Sequence, residues 1–496
     1  MKSKVDYRVV GAAIVIAGGC SIIYNPGNIP DRKDDAIPVD AAADADPSML
    51  VLISSDTTTV NEAEGSGCRP NVLVLRGHNF VNSNTVVTLS PHAGQPDLGS
   101  GTPVVTLDAS QLAIAGDGDT IAIPIRVDQS DAFKGSNSVR YDITVSQDAQ
   151  SGRVTQTLTT NPDPNGNGAD VPALTVHGLD ELYQGSGSAV AIATNEMPPL
   201  YSIVEVTSVT GTGPVRIHAV GHITIAGTIN FSANGQTGGP GGGNGGVGAG
   251  ITGAGVTSGT GPNGGAPNAP GKYKGDDQVS QFAKGDNASS GGGGGGGGGL
   301  LGAGGAGGGG GGEIEIGAGG DVTIGTLTAK GGTGATSSNN GADGTGGVVV
   351  IRAGGTVKAT SGKAVDVTAG SGTIVSDPGR ARIGGEDVSA ITASPKYSRS
   401  PTWFASTPMV VRKEQPALNL NGEPGQNVQY YVTNYNGTDT RGPATVPVPP
   451  NGMASFTSGL QFYRGLNKLC AYVPDANTAA VDGGQCIWIA YLQAMQ

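Results

Sequence analysis

The residues that come nearest to a ligand set are Asp163, Asn165, Asn167 and Asp170, in the run Asp-Pro-Asn-Gly-Asn-Gly-Ala-Asp. Alternating oxygen side chains, with Gly168 at the sixth place, are what a short loop needs to wrap a hard cation such as calcium. The twelfth place is Leu174, where a bidentate glutamate would complete the shell. An interdomain linker rich in Pro, Gly and Asn is the preferred reading, with calcium kept as the alternative. His218 and His222, four apart across a glycine, lack a third ligand nearby and are expected on the surface.

Acid–base work on a sugar needs carboxylates projecting together from one face. Glu313, Glu315, Asp321 and Asp366 are expected to be isolated or on different strands, where each serves as a solubilising charge. No GxSxG or HExxH occurs, and no GKS or GKT follows the glycine-rich stretches. The chain is therefore expected to be no enzyme and to hold no cofactor.

Composition points to how such residues are positioned. Glycine contributes 88 of 496 residues, far above the usual share of about 7%, while aromatics make up only 4%. A core must come from Val, Ile, Leu and Ala on thin β-layers. The net charge is −12 with no basic stripe, so nucleic acid is excluded as a partner.

Three segments share one pattern: 213–235, 312–332 and 347–370. Aligning Ile217, Ile316 and Ile351 brings Ala219, Ala318 and Ala353 into register, and a glycine corner follows each. Strict period 2 without helical periodicity, repeated, predicts stacked coils of a parallel β-helix over 161–400. The low-complexity insert 235–312 is expected to be extruded from it, since ordering each glycine costs ~1–2 kcal/mol of backbone entropy. The alternative is a packed bundle of polyglycine-II-like strands. IGAGGDVTIGTLTAKGG resembles coils of filamentous-haemagglutinin-type adhesins, which implies a surface role.

Residues 49–160 and 401–496 read as short strands between turn clusters, at intervals that suit immunoglobulin-like sandwiches. The run Val72-Leu-Val-Leu-Arg-Gly77-His-Asn-Phe80, followed by Thr85–Leu89, resembles the opening of an IPT/TIG domain. That likeness implies a glycine turn with Phe80 as a core plug. The fold class is thus all-β: a sandwich, a glycine-rich parallel β-helix and a second sandwich. Half of the aromatics, 11 of 22, lie in the last domain, where Tyr431, Tyr435 and Tyr463 are candidates for a carbohydrate shelf and core packing is the competing reading. Cys470 and Cys486 lie on successive strands joined by a Pro/Asp/Gly-rich turn, and a disulfide between them is expected. Cys68 is then left over.

Residues 1–20 carry a basic start (Lys2, Lys4, Arg8), a short apolar stretch and small residues before Cys20. Ala17-Gly-Gly-Cys20 resembles a lipoprotein lipobox, although Ala17 stands where leucine is usual. The resemblance implies lipidation of Cys20, and Ser21 implies sorting to the outer membrane. Residues 21–48, with Asp31, Asp34, Asp35, Asp40, Asp44 and Asp46 among Ala and Pro, form an acidic tether unable to bury a core. The expected function is that of a surface-exposed, non-catalytic envelope lipoprotein in adhesion or surface structure. Its partners would be the membrane through the lipid, and extracellular polysaccharide or envelope proteins. The alternative is a β-helix polysaccharide-active enzyme or a carbohydrate-binding module.

Overall fold

The computed structural model describes residues 49–493, except 62–70, 82–83, 96–103, 126–137, 150–151, 163–169, 185–188, 193–198, 250–254, 262–263, 268, 271–303, 338, 361–363, 395–397, 400, 405 and 473–484. Within these the protein is all-β, with one short 3-10 turn at Ala109–Gln111.

The first sandwich packs an antiparallel sheet (Val51–Ser55, Asn71–His78, Thr120–Ile125, Ala113–Ile114) against a second sheet built around the long strand Ser138–Ala149. Phe80 is buried in the core between them. A Cβ on Gly77 would lie 2.6 Å from the Phe80 ring, so only glycine leaves room for the plug. The strand Leu174–His177, expected as the head of the β-helix, belongs here instead. It pairs with Ser138–Ala149 and, in parallel, with Thr59–Asn61, and it buries Leu174 and Val176 in the sandwich core.

The β-helix has two long parallel sheets and a short third one, in which Val190–Ala191 pairs with Val209–Thr210. Of the long sheets, one runs Leu200–Tyr201, Val215–Ala219, Glu313–Ala318, Val348–Ala353, Arg380–Gly384, Ser398–Arg399. The other runs Leu182–Tyr183, Val204–Val206, Ile223–Asn230, Val322–Thr328, Val365–Asp366, Ala393–Ser394. Ile217, Ile316 and Ile351 lie side by side, as do Ala219, Ala318 and Ala353, and all six are buried between the sheets. Alternation sends one set of side chains to this interior and the other outward.

The insert departs from expectation. Its described ends form a packed bundle in which residues 304–312 lie at the centre. A three-residue turn points successive N–H groups in three directions. Gly304, Gly307 and Gly310 donate to the carbonyls of Ala249, Gly246 and Gly243 at 3.0, 2.8 and 2.7 Å. Gly305, Gly308 and Gly311 donate to Asn339, Ala342 and Thr345 at 2.7, 2.9 and 2.9 Å. Gly309 and Gly312 turn the third way, to Gly235 and Phe231, both at 2.8 Å. Extrusion is therefore wrong for this part. Glycine's lack of a side chain lets backbones approach until their own hydrogen bonds close, and these offset the entropy of ordering. The central run continues directly into the helix strand Glu313–Ala318, so bundle and helix share one ladder.

The C-terminal sandwich pairs a three-stranded sheet (Thr402–Trp403, Ala417–Asn421, Met453–Thr457) with a five-stranded one (Val410–Val411, Gln485–Tyr491, Gly465–Tyr472, Asn427–Asn434, Thr440–Pro447). Trp403, Tyr430 and Phe456 meet edge-to-face or tilted in its core, with centroids 5.4–6.4 Å apart. Cys470 faces Cys486 across adjacent antiparallel strands, and their sulfurs are bonded.

Candidate functional site

The chemistry-bearing side chains gather on the outer face of the first helix sheet. In Val215–Ala219 the inward residues are Val215, Ile217 and Ala219, which leaves Arg216 and His218 outward. The same alternation turns Glu313 and Glu315 outward from their strand, Arg352 from the next, and Arg382 from the one after. Parallel register sets Arg216 beside Glu315, while Val350 stands between Glu315 and Arg382 in the same row.

Glu315 is the hub. Its carboxylate oxygens lie 3.3 Å from Arg216 Nε, 3.6 Å from Arg352 Nη1 and 3.7 Å from His218 Nε2. The His218 contact is too long for a hydrogen bond, so its pull is electrostatic. Burial pushes the Glu315 carboxyl up, but His218, Arg352 and Arg216 together outweigh it and hold the group below the usual carboxylate range. Glu313, two residues back on the same face, has the opposite fate. Burial, with the neighbouring Glu315 charge adding to it against Arg216, pushes its carboxyl up to about 7. Arg382 is fully buried, and among the described residues none of its three guanidinium nitrogens has a hydrogen-bond partner. Burial first, then the adjacent Arg352 charge, draws it down to about 9, against the pull of Glu423.

Two carboxylates whose environments drive their proton affinities apart are the arrangement from which acid–base pairs are made. Both are nearly inaccessible, at 6% exposure each. The expectation that Glu313 and Glu315 are isolated solubilising charges is thus incorrect, as is the placing of His218 on the surface. The Glu-Ile-Glu spacing carried the signal, because period 2 puts both acids on one face of one strand.

The chain matches no protein-family model, no curated protein and no solved structure.

The other candidates fall elsewhere. Asp163, Asn165 and Asn167 lie outside the described residues, as do Cys20 and Cys68; Asp170 accepts a 3.4 Å contact from Thr160 Oγ1. Among the described residues no group of three or more His, Cys, Asp or Glu is placed to hold a metal ion. His222 Nε2 lies 2.8 Å from Glu205 Oε1. Asp321 accepts the Thr356 amide at 2.7 Å and fastens a glycine corner, while Asp366 pairs with Lys330 at 3.0 Å. The three tyrosines form no common shelf. Tyr431 stacks on Tyr472 at 5.2 Å, Tyr435 lies under the Arg76 guanidinium, and Tyr463 lies under that of Arg441.

Proposed function

We propose that this chain is a non-catalytic cell-envelope lipoprotein, anchored to the outer membrane through Cys20, whose β-helix serves adhesion or surface structure. The observation that carries this reading is the fusion of the helix to a bundle held by backbone hydrogen bonds. Such an arm is stiff, thin and poor in side chains, suited to holding a surface at a distance. Its second sheet presents outward rows of Thr224 beside Thr323, Thr228 beside Thr326 and Asn230 beside Thr328, which are hydroxyl and amide groups suited to hydrated partners. The test uses intact cells. Added protease should remove the wild-type protein, and Cys20→Ala should shift it from membranes to the soluble fraction. A protein that resists protease on intact cells, or a Cys20→Ala variant that still sediments with membranes, would count against this reading.

A second reading, a polysaccharide-active enzyme, has one observation for it, the Glu313–Glu315 pair with its divided proton affinities, and one against it, since both acids are only 6% exposed. Release of reducing sugar from a panel of polysaccharides, abolished by Glu315→Gln and by Glu313→Gln, would replace the first reading with this one.

A further inference from the structure

The strand Asn71–His78 is apolar at four successive positions, and each face has its own use. Leu73 and Leu75 enter the first sandwich's core. Val72 and Val74 point away from it and pack, with Ala115 and Ala122, against Leu466, Ala490 and Leu492 of the C-terminal sandwich. Polar contacts surround this shared cluster. The buried Asp56 carboxylate accepts Arg76 Nε and Nη2 at 2.6 and 2.8 Å and also the Leu466 amide at 3.3 Å. Arg76 Nη2 continues to the Arg464 carbonyl at 3.1 Å. The Gly116 amide donates to the Gln493 carbonyl at 2.9 Å, Arg412 Nη1 to that of Ile114 at 2.6 Å, and Arg464 pairs with Asp117 and Asp119. Gly465, at φ +90°, leaves the room Arg76 occupies; a Cβ there would lie 2.1 Å from its Nη2.

These two sandwiches flank the β-helix in sequence, and a parallel β-helix cannot bring its own ends together. The first and last strands of its first sheet, Leu200–Tyr201 and Ser398–Arg399, stand five spacings apart, about 24 Å. Each end of the helix also makes direct contacts at the sandwich beside it. At the near end the Asp180 carbonyl accepts the Ser202 amide at 2.9 Å, and Leu179 packs on Val220 of the helix. At the far end Asn421 Nδ2 donates to the Gly385 carbonyl at 2.6 Å, Arg399 Nη1 to Asn421 Oδ1 at 3.2 Å, and Ser406 to Glu386 at 3.1 Å.

We propose that the two sandwiches form a clasp across the length of the helix, closing the chain into a frame whose fit depends on the number of coils. A clasp of this kind fixes the arm relative to its base and ties the amino-terminal tether mechanically to the far end of the helix.

Hydrogen exchange on the full-length protein tests this through two amides that bond across the clasp, Gly116 and Leu466. Leu492→Asp puts a carboxylate in the shared apolar cluster. It should accelerate both amides about tenfold or more, leave Leu73, Ile316 and Leu469 protected, and lengthen the molecule in X-ray scattering. Continued protection of Gly116, or joint loss of protection inside both sandwiches, would refute a separable clasp. Deleting 349–380 excises one coil in register, since Val349 pairs with Ala381. With Ile316 still protected, the shortened helix should also release Gly116 and Leu466. Retention of both amides there would overturn the dependence on coil number. If Ile316 itself loses protection, Leu492→Asp alone decides.

Discussion

Gly308 and Gly332 approach so closely that a Cβ on Gly308 would lie 1.9 Å from the Gly332 carbonyl oxygen. The obstacle is backbone, which cannot rotate aside as a side chain can. Gly308→Ala must therefore push two strands apart, stretching the 2.9 Å bond from Gly308 to Ala342 as well. A loss of about 2–4 kcal/mol is expected, at or above the usual cost of overpacking. Ala306→Gly, on the same strand, removes one methyl from a half-buried position and should cost about 1 kcal/mol or less. Thermal unfolding of both variants checks the contrast; equal, small shifts would mean the bundle is loose.

Replacing 235–312 by a short Gly-Ser loop extends the same argument. Gly311 and Gly308 bond to Thr345 and Ala342, and Gly309 accepts the Gly332 amide, so the replacement strips partners from segments outside the insert. The cooperative melt should broaden or fall sharply. A melt within a few degrees of the parent would contradict the packed bundle.

The β-helix was legible because alternating Ile, Val and Ala repeat around fixed glycine corners; the register of Ile217, Ile316 and Ile351 follows directly from that repeat. The glycine bundle was not legible. A period of three leaves no trace in a run of glycines, and the hydrogen-bond partners of 304–312 lie in 231–249 and 332–348. The ionic cluster was half legible. Glu-Ile-Glu puts two acids on one face, but Arg352 and Arg382 reach that face only through coil stacking. The clasp was hidden because Val-Leu-Val-Leu reads as one buried strand whichever bodies cover it.

Glu313 makes stability depend on pH in a defined direction. Its carboxyl rises from an ordinary 4.5 to about 7 on folding, so the folded state prefers the protonated form. Its contribution is full below about pH 4.5 and is lost as pH rises through about 7, by at most about 3 kcal/mol. Glu313→Gln should flatten that part of the pH–stability curve and raise the melting temperature at pH 8. An unchanged slope between pH 5 and 7.5 would show that Glu313 is solvated.

Glu315 should behave in the opposite way. Its charge sits among Arg216, Arg352 and His218, all with side chains less than 15% exposed. Glu315→Gln leaves buried positive charge without its counter-charge, and a loss of about 3–5 kcal/mol is expected. Replacing Arg216 by methionine in the same chain should recover part of it, because the pair is then removed together. Strictly additive losses in chemical denaturation would show that the two residues do not act on each other.

The Cys470–Cys486 bond joins strands that are already paired, so its effect comes through the unfolded chain. The two residues are 16 apart in sequence, and closing a loop of that size stabilises by about 3 kcal/mol in the chain-entropy account. The bond crosses the sheet that also carries Leu466, Ala490 and Leu492, so its loss should be felt at the clasp as well as in the sandwich core. A Cys470→Ala, Cys486→Ala double variant should melt several degrees lower, and reducing agent should lower the wild type to match it. Non-reducing peptide mapping should recover the 470–486 pair, with Cys68 as a free thiol. Either cysteine joined to Cys68, or a double variant as stable as the oxidised parent, would overturn this assignment.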